Sequence, residues 1–112
     1  FWASWDRESI STRDSLYSLI QKSPKEKFRI VNFSLDYDKK EWQRLCKEDT
    51  EQWIELCDGK GWNAQILKQQ NIQALPSNIL IDQNRKIVDR NLNEMTLASR
   101  IKALTANDSK QK

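Results

Sequence analysis

Apolar residues recur along this chain with two different periods, and the switches between them mark out its elements. Between Asp6 and Lys22, Leu16, Leu19 and Ile20 share one face at spacings of three and four, and Ile10 extends it, which predicts a helix. Asp6 suits its N-cap and Glu8 its first turn, while Ser23-Pro24 stops it. From Phe28 to Leu35 the period drops to two, with apolar side chains on both faces. Phe28 and Ile30 share one side; Val31, Phe33 and Leu35 share the other. That pattern predicts a strand buried between two layers. Lys39 to Glu48 reads as a helix with Trp42, Leu45 and Cys46 in one stripe, and Trp53 to Cys57 as a short strand. A turn at Asp58-Gly59-Lys60-Gly61 leads to a helix over Trp62 to Gln70. Ile72 to Pro76 is extended, because the residue before proline is pushed out of the helical region. Asn78 to Asp82 reads as a second buried strand, with Lys86 to Arg90 as its hairpin partner. Asn93 caps a last helix that carries Leu97, Ile101 and Leu104 on one face.

Helices thus alternate with buried strands, which makes the class α/β, a mixed sheet with helices on both faces. The start is anomalous. Phe1-Trp2-Ala3 has the look of a strand's tail. A strand that feeds a helix and then a buried parallel strand belongs in the middle of a sheet. The expectation is therefore a first strand that lies largely upstream of Phe1. Residues 1–106 read as the domain, and the polar, aperiodic stretch 107–112 as a disordered tail.

Composition narrows the functions. The chain has 112 residues, enough for one domain with a modest core. No apolar run approaches the roughly 18–20 residues that span a bilayer. The net charge is +3, but basic residues sit beside acids, as in Lys25-Glu26-Lys27 and Asp38-Lys39-Lys40-Glu41. Such interleaving is a solvated surface and not a nucleic-acid face. Histidine is absent, which excludes Ser-His-Asp and Cys-His catalysis. Cys46 and Cys57 without histidine cannot build a structural zinc site. Asp36, Asp38 and Asp82 form no calcium loop and read as solvated turn acids. Gly59-Lys60-Gly61 lacks the spacing of a phosphate loop. No metal or cofactor is expected.

Three separated motifs then arrive in order. Phe1-Trp2-Ala3-Ser4-Trp5 precedes a helix start; Val31 to Asp36 and Gly61-Trp62-Asn63 follow; Ala74-Leu75-Pro76-Ser77-Asn78 leads into Ile79-Leu80-Ile81-Asp82. Over nearly its whole length the chain resembles the thioredoxin-like TlpA/ResA group of bacterial thiol–disulfide oxidoreductases. The resemblance implies a thioredoxin-like fold, Pro76 as a cis-proline opposite the active turn, and a cell-envelope location. It also implies a groove formed by Trp5, Asp6, Arg7, Leu75 and Pro76 that holds an extended protein or peptide segment by strand addition.

The departure lies at the two positions where that group carries cysteines. Asp6 and Ser9 stand there, with Arg7 and Glu8 between them. In the group, a thiolate at the helix start attacks a disulfide and a second cysteine resolves the adduct. Asp6 inherits the favourable helix start but has no sulfur, and Ser9 has no evident base to activate it. Asp6 and Glu8, two apart on a helix start, diverge around the axis and so do not form an acid–base pair. The leading expectation is a non-catalytic module that binds a protein or peptide, or a structural domain. The enzyme alternative is thiol–disulfide exchange or a peroxiredoxin-like reaction through Cys46 or Cys57. Those two are candidates for a disulfide, for residual thiols, or for small apolar fillers.

Overall fold

A computed structural model describes residues 1–22 and 28–110. The expected helix stop at Ser23-Pro24 lies outside the described residues. Helix α1 spans Arg7–Lys22, followed by β1 (Ile30–Ser34), α2 (Lys39–Leu45) and β2 (Trp53–Cys57). A single 3-10 turn, Gly61–Asn63, precedes α3 (Gln65–Gln69). The chain ends with β3 (Ile79–Ile81), β4 (Ile87–Arg90) and α4 (Glu94–Lys110).

The element order matches the sequence reading, and the differences have local causes. The helix expected to reach Glu48 ends at Leu45, where Cys46 turns extended with ψ 144°. The helix expected from Trp62 is interrupted at Ala64 (ψ 135°) and resumes as α3. Asn93 caps α4 as expected: its Oδ1 accepts the Thr96 N–H at 2.8 Å. The backbone of α4 runs to Lys110, past residue 107, where the sequence places the start of a disordered tail.

Among the described residues the strands are mixed in direction and form two separate two-stranded sheets. β1 pairs with β2 in parallel, Ile30 opposite Trp53 and Ser34 opposite Cys57. β3 pairs with β4 antiparallel, Ile79 opposite Arg90. Among the described residues, Phe1 and Trp2 run between the pairs. Trp2 forms a parallel bridge to Ser34, and the Phe1 nitrogen donates to the Ser77 carbonyl at 2.9 Å.

Two apolar clusters lie on opposite faces. Leu16 and Ile20 of α1 and Leu97 and Ile101 of α4 pack around Trp53 on one face. Ala3, Leu35, Ala64, Leu67 and Ile72 form the other, with Phe33 and Ile79 against it. Each fully buried Leu or Ile contributes about 1.5–3 kcal/mol, so these clusters outweigh any single polar contact. The split sheet corrects one expectation. The sequence predicts β1 buried on both faces, yet Val31 is 53% exposed while Asn32 and Ser34 are buried. Asp82 and Ile81 close a strand that is likewise only half-covered, with Ile81 56% exposed. Val31 and Ile81 both line the trough between the two sheets.

Candidate functional site

The turn Ser4-Trp5-Asp6 leaves the Trp2–Ser34 bridge and opens α1. Asp6 is its N-cap: Oδ2 accepts the Ser9 N–H at 3.1 Å and its carbonyl accepts the Ile10 N–H. Ser9 turns inward. Its hydroxyl donates to the Asp6 carbonyl at 2.9 Å and accepts the Ala3 N–H at 3.3 Å, and the residue is 2% exposed. Asp6 and Ser9 are therefore brought together, as their spacing requires, but as a closed hydrogen-bonded unit. The hydroxyl is enclosed, with the Asp6 carbonyl and the Ala3 N–H as its partners. The arrangement caps the start of α1.

Asp36 fastens this turn to the end of β1. Its carboxylate accepts the Ser4 N–H at 3.1 Å, the Ser4 hydroxyl, and the Ser34 hydroxyl at 2.6 Å. Only 2% of the residue is exposed. This corrects the sequence expectation of a solvated turn acid. The signal available in the sequence was Ser34-x-Asp36 at a strand end, a spacing that permits an Asx or Ser turn. A buried carboxylate must be hydrogen-bonded to be tolerated, and three donors satisfy it here.

Trp5 points outward from this fastened turn, 54% exposed. Tyr37, next to Asp36, and Trp62 are also exposed. The Trp62 N–H donates to the Tyr37 hydroxyl at 3.2 Å. Gly61 sits under the Tyr37 ring with φ +55°, and an added Cβ would meet ring atoms at 2.1–2.4 Å. Only glycine fits both the angle and the approach. Leu75 is half-buried against the Leu35 cluster, Pro76 and Arg7 are exposed, and the Leu75–Pro76 peptide bond is cis. The Phe1–Ser77 hydrogen bond ties the Pro76 loop to the strand that carries Trp5. Among the described residues no hydrogen bond or ring contact joins Trp5 directly to Leu75 or Pro76.

The two cysteines are apart from this turn in sequence and form no disulfide. Both are half-buried, so Cys46 is not the fully buried filler its helix stripe suggested. The Cys57 thiol donates to the Asp36 carbonyl at 3.4 Å. Burial pushes the Cys46 thiol up to about 11, and the Glu55 carboxylate adds to that. Reactive cysteines have their thiolates stabilised; Cys46 has the opposite environment, at the C-terminal end of α2. Its folded value lies above the ordinary 9, so its contribution to stability is complete below pH 9 and is lost as pH rises towards 11. Urea midpoints of the native chain should fall across that window, and those of Cys46→Ala should fall less. Iodoacetamide should label Cys46 slowly at pH 7. Fast labelling of the folded chain at neutral pH would contradict the assignment.

Among the described residues, no group of acidic or cysteine side chains is placed to hold a metal ion. Beneath the turn lies a buried ion pair. Arg13 forms a forked bond to Glu55, with its second nitrogen 3.1 Å from Oε2 and 3.0 Å from the Leu45 carbonyl. The guanidinium stacks on Trp2 at 3.7 Å from the ring centroid. The Lys47 N–H completes Glu55 at 2.7 Å. The sequence reading did not single out this pair, because a charged residue in a helix ordinarily marks its solvated face.

Comparison with known proteins fits this geometry. The thioredoxin-like family model matches residues 1–87. A thiol-disulfide oxidoreductase from Bacteroides fragilis is 35% identical, with 93% of this chain and 77% of that one aligned at a TM-score of 0.78. An uncharacterized thioredoxin-like protein from Bacteroides vulgatus is 25% identical, with 97% and 70% aligned at a TM-score of 0.77. No curated protein matches. The chain therefore belongs to the thioredoxin-like family, on the side of it where the thiol-disulfide oxidoreductases lie.

Proposed function

We propose that this chain is a non-catalytic docking module that receives an extended peptide segment of a protein partner at the Trp5 turn. The observation that carries the reading is the pairing of Asp6 with Ser9: the helix start is satisfied internally while Trp5 beside it stays exposed. Exposed tryptophan is enriched at binding sites, where it supplies most of the energy from a small area. Arg7, Leu75 and Pro76 form the remaining border, and exposed backbone beside a proline suits strand addition. The redox alternative draws no support from Cys46, whose thiol is held protonated. The setting proposed is the cell envelope, to which the TlpA/ResA resemblance points. Among the described residues no helix is long and apolar enough to cross a membrane.

The test is a nuclear magnetic resonance titration of the chain with a library of unstructured decapeptides. Binding should shift the Trp5 indole N–H and the Leu75 amide together. Trp5→Ala should weaken that binding by about tenfold or more while leaving the circular dichroism spectrum unchanged. Binding that shifts neither signal, or that survives Trp5→Ala, would contradict the reading.

A further inference from the structure

Three parallel segments end side by side at one edge of the molecule. β1 leads through Asp36 into Tyr37, β2 leads through Asp58 into Gly61 and Trp62, and the Trp2 bridge leads through Ser4 into Trp5. In α/β folds, ligands bind beyond such C-terminal strand ends. Two contacts join the three ends. The Asp36 carboxylate accepts the Ser4 N–H at 3.1 Å, which sets Tyr37 beside Trp5. The Tyr37 hydroxyl accepts the Trp62 backbone N–H at 3.2 Å, with Gly61 under the ring. Trp5 and Tyr37 are each 54% exposed and Trp62 is 40% exposed. The acids of this face are engaged by backbone. Asp6 accepts the Ser9 N–H, Asp38 the Lys40 N–H and Asp58 the Lys60 N–H, while Asp36 is buried beneath. Its cations are not. Arg7, Lys39 and Lys60 are exposed and, among the described residues, have no ion-pair partner. The stem of Lys39 packs beside Gly59 and the Tyr37 carbonyl, and Lys60 adjoins the Gly61 that underlies the Tyr37 ring. Arg7 stands on the Trp5 side; Glu8, exposed as well, lies about 100° further round the helix.

We infer that the partner segment is acidic: an extended peptide whose apolar centre packs on Trp5, Tyr37 and Trp62 and whose flanking carboxylates reach Arg7, Lys39 and Lys60. The inference rests on the docking reading given above. It extends that surface from the Pro76 side of Trp5 to the β1 side, across the ends of β1 and β2. Aromatic anchors supply the contact energy, and the unpaired cations select the partner and speed its encounter. An exposed ion pair is worth only about a two- to threefold factor. Three of them separate an acidic segment from a neutral one by about tenfold. A nucleic-acid strand fits this face less well. Its charges repeat without a gap along the backbone, whereas Asp38 and Asp58 stand beside the cations here.

Three peptides test it: Ser-Glu-Glu-Leu-Val-Leu-Glu-Glu-Ser, and the same sequence with every Glu replaced by Gln or by Lys. Each is titrated to millimolar concentration, and its Kd is read from the indole N–H signals of Trp5 and Trp62, with the buried Trp53 indole as reference. A chain carrying Lys39→Glu with Lys60→Glu is titrated alongside; both positions are exposed, so its circular dichroism spectrum should be unchanged. The Glu peptide should bind about tenfold tighter than the Gln peptide, and the Lys peptide more weakly than both. Sodium chloride at about 0.5 M should erase the difference, and the double variant should reverse the order. Equal Kd values for the three peptides, with both indole signals moving, would overturn the inference and leave the docking reading standing. An acidic preference unchanged in the double variant would overturn it as well. No movement with any peptide would overturn both. Tighter binding of a deoxythymidine decamer than of the Glu peptide would make a nucleic acid the occupant. A peptide-free dimer in sedimentation that dissociates in the double variant would make it a second copy. Either result would contradict an acidic peptide partner.

Discussion

An Arg13→Ala chain should melt about 12–20 °C below the native chain. Arg13 and Glu55 are both almost fully buried, and each is the other's charge partner. Removing one partner leaves an uncompensated charge inside, which costs about 3–5 kcal/mol. A domain of this size loses about 4 °C per kcal/mol. The guanidinium also stacks on Trp2, the residue that bridges to β1, so its loss loosens the strand that leads to the Trp5 turn. Replacing both partners with apolar residues, Arg13→Met with Glu55→Leu, should recover most of the loss, because no orphaned charge remains. Thermal unfolding by circular dichroism decides the matter. A fall of less than about 4 °C in Arg13→Ala would show that the pair contributes little.

The second large effect is a gain. On the proposed non-catalytic reading, Asp6→Cys with Ser9→Cys should give this chain disulfide-reductase activity. Position 6 is half-exposed at a helix start, where the Ser9 N–H now points at the Asp6 carboxylate. A thiolate there would receive the same N–H and the helix dipole, which lowers a thiol towards about 7 or below. Position 9 is enclosed beneath it. The geometry thus separates an attacking thiol from a resolving one. With dithiothreitol as donor, insulin reduction should rise at least about tenfold above the uncatalysed rate. The single Asp6→Cys chain should form stable mixed disulfides and turn over poorly, because no second thiol releases the client. A folded double variant with no activity would mean that the turn is not built for disulfide exchange.

How far the sequence could be read follows from what each residue's neighbours in the chain reveal. The period of three and four at Leu16, Leu19 and Ile20 and the period of two at Phe28 to Leu35 report burial by repetition, and both elements are present. The caps at Asp6 and Asn93 are local chemistry, complete within four residues, and both form as read. The sequence does not single out Arg13 and Glu55, and reads Asp36 as a solvated turn acid, for the opposite reason. Each is buried by partners far away in the chain: Glu55 for Arg13, Ser4 for Asp36. A single charged side chain carries no mark of such a partner. The exposure of Val31 was illegible because an apolar residue in a strand reads the same whether or not a neighbouring strand covers it.

The most direct measurement is insulin reduction by the unaltered chain, with dithiothreitol as donor, beside the Cys46→Ser and Cys57→Ser chains. Precipitation should proceed no faster than with dithiothreitol alone, and the three chains should be indistinguishable. Turnover above that background, abolished by either serine substitution, would contradict a site without thiol chemistry.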